Sequence, residues 1–229
     1  MRIYVALLVA ITSVDIFADH GTHTWGNAYQ SVVAILPTWP GYEKPGYGAP
    51  RGTAPEGSGI VVSLSSEDTS SFILTAAHVV NNATRVQLRE GDEGLLIDAN
   101  VVWTDNDADI ALLSSEKLKP AFHLKARDPL PGEHVCVIAN PFGLGISMSC
   151  GVVSGPRRRG IGFNAVEDFI QTDAAVNPGA SGGALVNGKG ELLGMITAIY
   201  TKEADIDAGV NFAISSVLLV ERLKLSEIR

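Results

Sequence analysis

A single serine sits among small residues in Asn177-Pro178-Gly179-Ala180-Ser181-Gly182-Gly183-Ala184-Leu185. Glycines on both sides let the backbone turn sharply, so neighbouring N–H groups can converge on the oxyanion formed when a hydroxyl attacks a carbonyl. A serine hydroxyl needs a base to act this way. Thr75-Ala76-Ala77-His78-Val79-Val80 offers one, following the apolar run Phe72-Ile73-Leu74. It reads as a buried strand running into a short turn or helix, with the histidine at the junction. The base needs an orienting partner, and Asp109 stands directly before Ile110-Ala111-Leu112-Leu113. A carboxylate against an apolar strand either caps the strand end or is buried with a partner such as an imidazole N–H, because an unpaired buried charge is costly. Alone, each residue has an ordinary structural explanation. Together, in the order histidine, aspartate, serine, they specify nucleophilic acyl transfer.

The elements that must position them are short strands. Apolar or alternating stretches recur at Ser31–Leu36, Gly59–Leu64, Phe72–Leu74, Arg85–Leu88, Val101–Trp103 and Ile110–Leu113. After a polar, proline-containing connection from Ser114 to Glu133 the pattern resumes at Val135–Ala139, Ser147–Val153, Asp168–Gln171, Ala184–Val186, Leu192–Ile199 and Val210–Ile214. Such spacing, with Gly, Pro, Asn and Asp between, indicates an all-β barrel or sandwich. Helix is expected in two places at most. Ser215 or Ser216 can cap Val217–Leu225, a stretch that would pack on the second half of the chain. Trp39 to Gly57, rich in Gly and Pro, reads as a long surface loop.

Composition limits the function classes. The chain has 229 residues, 46% hydrophobic and 18% charged, which is a globular composition with room for a sizeable core. A formal charge of −8 and no basic stripe argue against nucleic acid as a partner. Arg157-Arg158-Arg159, between Pro156 and Gly160, reads as a solvated loop. Residues 1–18 read as a signal peptide: Arg2 forms the n-region, Ile3 to Ile11 the apolar stretch, and Ile16-Phe17-Ala18 the cleavage site. An uncleaved N-terminal anchor is the alternative, and stable membrane insertion is not expected. Cys136 and Cys150 lie in strand-like stretches on either side of the Pro141-Phe142-Gly143-Leu144-Gly145 turn, with midpoint Gly143. A simple hairpin sets them opposite each other, as a cross-strand disulfide or as two buried thiols. No metal or cofactor is expected. His20 and His23 lack further ligands, and Asp105, Asp107 and Asp109 lack the glycine and distal glutamate of a Ca²⁺ loop. His123 and His134 are expected at the surface or in the connection between the two halves.

Taken with three further strings, Gly57-Ser58-Gly59-Ile60-Val61-Val62, Ile138-Ala139-Asn140-Pro141-Phe142-Gly143-Leu144-Gly145 and Phe169-Ile170-Gln171-Thr172-Asp173-Ala174-Ala175-Val176-Asn177, the histidine, aspartate and serine strings resemble trypsin-like serine proteases of the HtrA/Deg branch. The likeness runs from about Ala28 to the C-terminus. It implies a chymotrypsin-like fold of two six-stranded antiparallel β-barrels with a short C-terminal helix. The first barrel spans about 28–115, the second about 132–215 and the helix about 216–226, within one protease domain over 19–229 without a PDZ module. It implies His78 as base, Asp109 as its orienter, Ser181 as nucleophile and the Gly179 and Ser181 N–H groups as oxyanion hole. Thr197 would support Asp109, and Ile196–Ile199 would pair with an extended substrate, with Val176, Ile196, Thr197, Ala198 and Ile199 as binding residues. Ala175 stands where tryptic enzymes carry an acid, so small aliphatic residues are expected before the cut. Ala180, where the branch has Asn, cannot hold a charged new N-terminus, so activation by such a salt bridge is not expected. Asp173 is taken as structural. The resemblance further implies unfolded or misfolded polypeptides as substrates, a periplasmic or secreted setting and, in many relatives, trimers. A catalytically latent, peptide-binding or chaperone-like scaffold on the same fold is the alternative.

Overall fold

The computed structural model describes residues 20–39, 56–64, 72–91, 94–115, 122–199 and 209–225. The expected signal peptide and most of the Trp39–Gly57 loop lie outside these residues. Six strands form the first barrel: β1 (Val32–Thr38), β2 (Gly57–Ser63), β3 (Phe72–Thr75), β4 (Arg85–Glu90), β5 (Leu96–Asp105) and β6 (Ile110–Ser114). They run in the order β1-β4-β5-β6-β3-β2, and antiparallel pairing of β1 with β2 closes the ring. A two-residue β7 (Phe122–His123) adds to β2 in parallel, a strand that the polar connection gave no reason to expect. The second barrel holds β8 (His134–Ala139), β9 (Ser147–Arg158), β10 (Phe169–Thr172), β11 (Ala184–Asn187), β12 (Leu192–Ile199) and β13 (Asn211–Ser215), closed in the order β10-β13-β12-β11-β8-β9.

Closure explains the composition of the strands. Inward side chains such as Ile35, Val61, Leu88 and Leu113 fill the first barrel, and Val137, Ile170, Leu185 and Leu193 fill the second. Outward faces of several strands are also apolar because the barrels pack against each other. Ile60, Leu74 and Leu112 of the first meet Ile138, Phe169 and Phe212 of the second in one buried cluster. That shared core fixes the cleft between the barrels and so the relative placement of groups carried by each.

Among the described residues three α-helices accompany the barrels. The first, α1 (His20–Ala28), departs from the sequence reading, which placed helix at other positions. Its segment has two glycines and no apolar stripe, and it is held by tertiary contacts: Trp25 stacks on Tyr29, and Thr24 donates to the Gly188 carbonyl. The second, α2 (Ala77–Val80), is a single turn carrying His78. The third, α3 (Ser216–Leu225), begins where expected, with Ser215 Oγ accepting the Leu218 N–H at 3.1 Å as N-cap.

The arginine run corrects the expectation of a solvated loop. β9 continues through Arg158, and the buried Asp168 carboxylate draws in both Arg157 and Arg159. Cys136 and Cys150 face each other across β8 and β9 and are joined by a disulfide. The double replacement Cys136→Ala/Cys150→Ala should lower unfolding stability by about 3 kcal/mol, the loop-entropy value for a short closed loop. Denaturant midpoints check this; an unchanged midpoint would show that the bridge adds nothing.

Candidate active site

His78 sits on α2 immediately after β3, which fixes the approach of its ring to the cleft. Its Nδ1 lies 2.8 Å from Asp109 Oδ2, and its backbone N–H donates to Asp109 Oδ1 at 2.9 Å. Thr197 Oγ1, near the end of β12, donates to Asp109 Oδ2 at 2.6 Å. One carboxylate therefore gathers three donors, two from the first barrel and one from the second. Burial pushes the Asp109 carboxyl up, but the hydrogen bonds from His78 and Thr197 and the adjacent imidazole outweigh it, so its pKa falls below the usual carboxylate value. An ionised carboxylate only accepts, so Nδ1 of His78 carries the proton of that hydrogen bond and Nε2 is left as an acceptor. The side chain of His78 is 53% exposed, whereas that of Asp109 is 12% exposed.

Ser181 is delivered by the β10–β11 connection. Its carbonyl accepts the Ser58 N–H at 2.8 Å, the next residue, Gly182, donates its N–H to the Ile196 carbonyl at 2.7 Å, and the Ile196 N–H donates to the Gly183 carbonyl at 2.8 Å. Gly182 has φ +85°, and a Cβ there would lie 2.1 Å from the Ser58 carbonyl oxygen and 2.4 Å from Thr75 Oγ1. Only glycine permits this approach, which seats the serine loop against the strand leading into His78. Among the described residues His78 hydrogen-bonds Asp109 and not the Ser181 hydroxyl. In substrate-free sites that contact is commonly long and tightens once substrate is bound.

The backbone before the serine is also fixed. The Phe142 N–H donates to the Pro178 carbonyl at 2.7 Å, so the Pro178–Gly179 peptide turns its own N–H the opposite way. The Gly179 carbonyl accepts Ser58 Oγ at 2.8 Å, and Gly179 has φ +94°. Among the described residues the N–H groups of Gly179 and Ser181 have no acceptor within the chain. Two donors left open beside a serine are what an oxyanion hole requires.

Ser58, Asn140, Phe142 and Glu56 were given no role by sequence reasoning. Asn140 donates its N–H to Ser58 Oγ and its Nδ2 to Glu56 Oε2, both at 2.8 Å, while Arg89 pairs with the same carboxylate. This network ties the first barrel to the loop whose Phe142 N–H fixes the Pro178 peptide. The signal was present, because Gly57-Ser58-Gly59 and Asn140-Pro141-Phe142-Gly143 are two of the strings that carried the resemblance. Ser58→Ala would leave the Asn140 N–H and the Gly179 carbonyl without that partner. A cost of about 1–3 kcal/mol in unfolding free energy is expected, measured by denaturant titration; a value within error of zero would mean that the loop relaxes without the hydroxyl.

The remaining candidates fall as follows. Val176 and Ile196 are buried in the core of the second barrel together with Ala180. The side chains of Ala198 and Ile199 lie outside the described residues. Beside residues 175–180 is a cavity of about 110 Å³, walled by Val137, Ala139, Pro141, Met148, Ala175 and Ala180 among others, with no charged side chain. The Asp173 carboxylate accepts the Val152 N–H at 2.7 Å, and Asp105 engages the backbone of its own turn and Arg222. His123 and His134 are exposed at strand ends, and His23 contacts Asn27 on α1.

Comparison with known proteins converges on one family. The profile of the family described as Trypsin-like peptidase domain matches residues 57–195. Periplasmic serine endoprotease DegP from Escherichia coli is 40% identical over 163 residues, covering 70% of this chain and 33% of its own length. A probable periplasmic serine protease do/HhoA-like from Haemophilus influenzae is 41% identical over 166 residues, covering 70% and 34%. The chain thus spans about a third of the length of the curated relatives it matches. Among solved structures, the HtrA-type protease AlgW with tripeptide superposes with a TM-score of 0.75 at 32% identity, over 89% of this chain and 62% of the other.

Proposed function

The chain belongs to the trypsin-like peptidase domain family, and from that premise we propose that it is a serine endopeptidase cutting extended or unfolded polypeptides. The observation that carries this reading is the Nδ1–Asp109 pair of His78, capped by Thr197, across the cleft from a serine loop with two open N–H donors. Ser181 Oγ attacks the scissile carbonyl, and His78 Nε2 takes its proton and returns it to the leaving amine. Asp109 keeps the imidazole in that tautomer and stabilises the imidazolium. The Gly179 and Ser181 N–H groups receive the oxyanion. Losing one such donor typically raises the barrier by about 2.7–4 kcal/mol. The outer end of β12, Thr197 to Ile199, pairs with the substrate backbone, which gives binding that tolerates many sequences.

Specificity rests on the absence of charge. Ala175 and the uncharged cavity beside it offer no anion to a lysine or arginine side chain, which supports small aliphatic residues before the cut. The relatives are named as periplasmic proteases, and the disulfide fits an oxidising compartment, so an exported site of action is proposed. Digestion of casein with the cut sites read by mass spectrometry tests substrate and pocket together. Cuts chiefly after Val, Ala, Ile or Leu are expected; cuts chiefly after Lys or Arg would overturn the pocket assignment. A folded wild type that cuts nothing would favour the latent peptide-binding scaffold.

A further inference from the structure

Asp109 adopts φ +59°, a left-handed conformation that is uncommon for a residue with a side chain, although aspartate enters it more readily than most. Its own side chain does not impose it, since those hydrogen bonds run toward His78 and Thr197. Its carbonyl accepts the Ala77 N–H at 3.2 Å, and the turn before it adds a second constraint. Asp105, at the end of β5, is buried, and its Oδ1 accepts the N–H groups of Asp107 at 3.1 Å and Ala108 at 3.2 Å. Its Oδ2 accepts Nε of Arg222, which arrives from α3, 117 residues further along the chain. The Asp107 carbonyl accepts the Val166 N–H at 2.8 Å, and the Ala108 carbonyl accepts Asn164 Nδ2 at 3.3 Å. That loop is itself gathered around Glu167, whose carboxylate takes the N–H groups of Ile161, Gly162, Phe163 and Asn164. A turn of the first barrel is thus held by a loop of the second and by the terminal helix.

Resting on the peptidase reading of the site, we propose that Arg222 is a positioning residue for the reaction, acting through Asp105 to hold the turn that presents Asp109 to His78. Arg222 touches no group assigned to the chemistry. Its guanidinium compensates a buried carboxylate whose other donors among the described residues are backbone N–H groups, and removing one partner of such a pair leaves the other charge uncompensated. The turn then has to admit water or shift, and a shift carries the next four residues, Asn106 to Asp109. A displacement of about 1 Å at a reacting group can cost about 100-fold in rate. The effect falls on kcat, because the substrate strand and the pocket are not moved.

The test compares Arg222→Met, Arg222→Lys and Lys224→Met with wild type, the last altering an exposed residue of the same helix. Arg222→Met should lower kcat on a peptide substrate by about 10- to 100-fold with KM within about twofold. Arg222→Lys should recover most of that loss, and Lys224→Met should match wild type. A second readout does not need turnover: the low-field proton resonance of His78 Nδ1–H should broaden or move in Arg222→Met and persist in Arg222→Lys. If Arg222→Met fails to fold, Asp105→Asn, which keeps an acceptor for the turn while removing the charge, is read in the same two ways. A folded Arg222→Met with wild-type kcat and an unmoved resonance would overturn the proposal while leaving an active enzyme intact. A wild type without peptidase activity, in which Arg222→Met still moves the resonance, would overturn the peptidase reading and keep the positioning role.

Discussion

Ser181→Ala is expected to lower kcat for peptide hydrolysis by about 10⁶-fold, with KM and the unfolding midpoint close to wild type. The Ser181 contact that fixes the loop is its backbone carbonyl to Ser58 N–H, which alanine retains, and the Gly182 N–H keeps its bond to the Ile196 carbonyl. Activity and stability should therefore separate cleanly. Steady-state hydrolysis beside a thermal melt measures both, and residual turnover within about tenfold of wild type would move the nucleophile elsewhere.

Asp109→Asn is the second large effect, a fall in kcat of about 10⁴-fold. Three donors converge on the carboxylate: the His78 backbone N–H, His78 Nδ1–H and the Thr197 hydroxyl. An amide has one acceptor oxygen, so its NH₂ must face one of these donors. The ring responds by placing its proton on Nε2, where the base should be free. The pH dependence follows from the lowered Asp109 pKa. A carboxylate depressed in the folded state adds stability that is present above the unfolded value of about 3.9 and is lost as pH falls through the folded one. The stability gap between wild type and Asp109→Asn should be present above about pH 3.9 and close as pH drops below it. A gap that persists at low pH would mean that the ionised form is not what the fold stabilises.

Most of the architecture was legible in the sequence because barrel strands carry their own period. Each expected strand is present, and the errors lie where other forces act. β5 starts at Leu96, well before the expected Val101: Asp98 and Asn100 are poor strand formers and Leu96 is an exposed apolar residue, so local preference does not mark the start, where Arg85 on β4 pairs with Asp98. β9 runs through Pro156, a residue that normally argues against continued pairing. α1 could not be read from His20-Gly21-Thr22-His23-Thr24-Trp25-Gly26 because its stability comes from docking and not from propensity.

The site divides along the same line. His78, Asp109 and Ser181 stand in strings whose local chemistry marks them. Ser58, Asn140 and Glu56 lie in or beside such strings, but their roles exist only through contacts more than 80 residues away in sequence. Arg222 gives no local sign at all: an arginine on the polar face of a helix looks like any solvated one until Asp105 is found beneath it.

The account depends on Ser181 being activated by its surroundings and not merely present. Labelling by a fluorophosphonate probe, followed by intact mass and peptide mapping, tests that directly. One adduct, on Ser181, is expected in folded wild type, strongly slowed in Asp109→Asn and absent from Ser181→Ala or from unfolded protein. A folded wild type that takes no label, or takes it equally after unfolding, would contradict it.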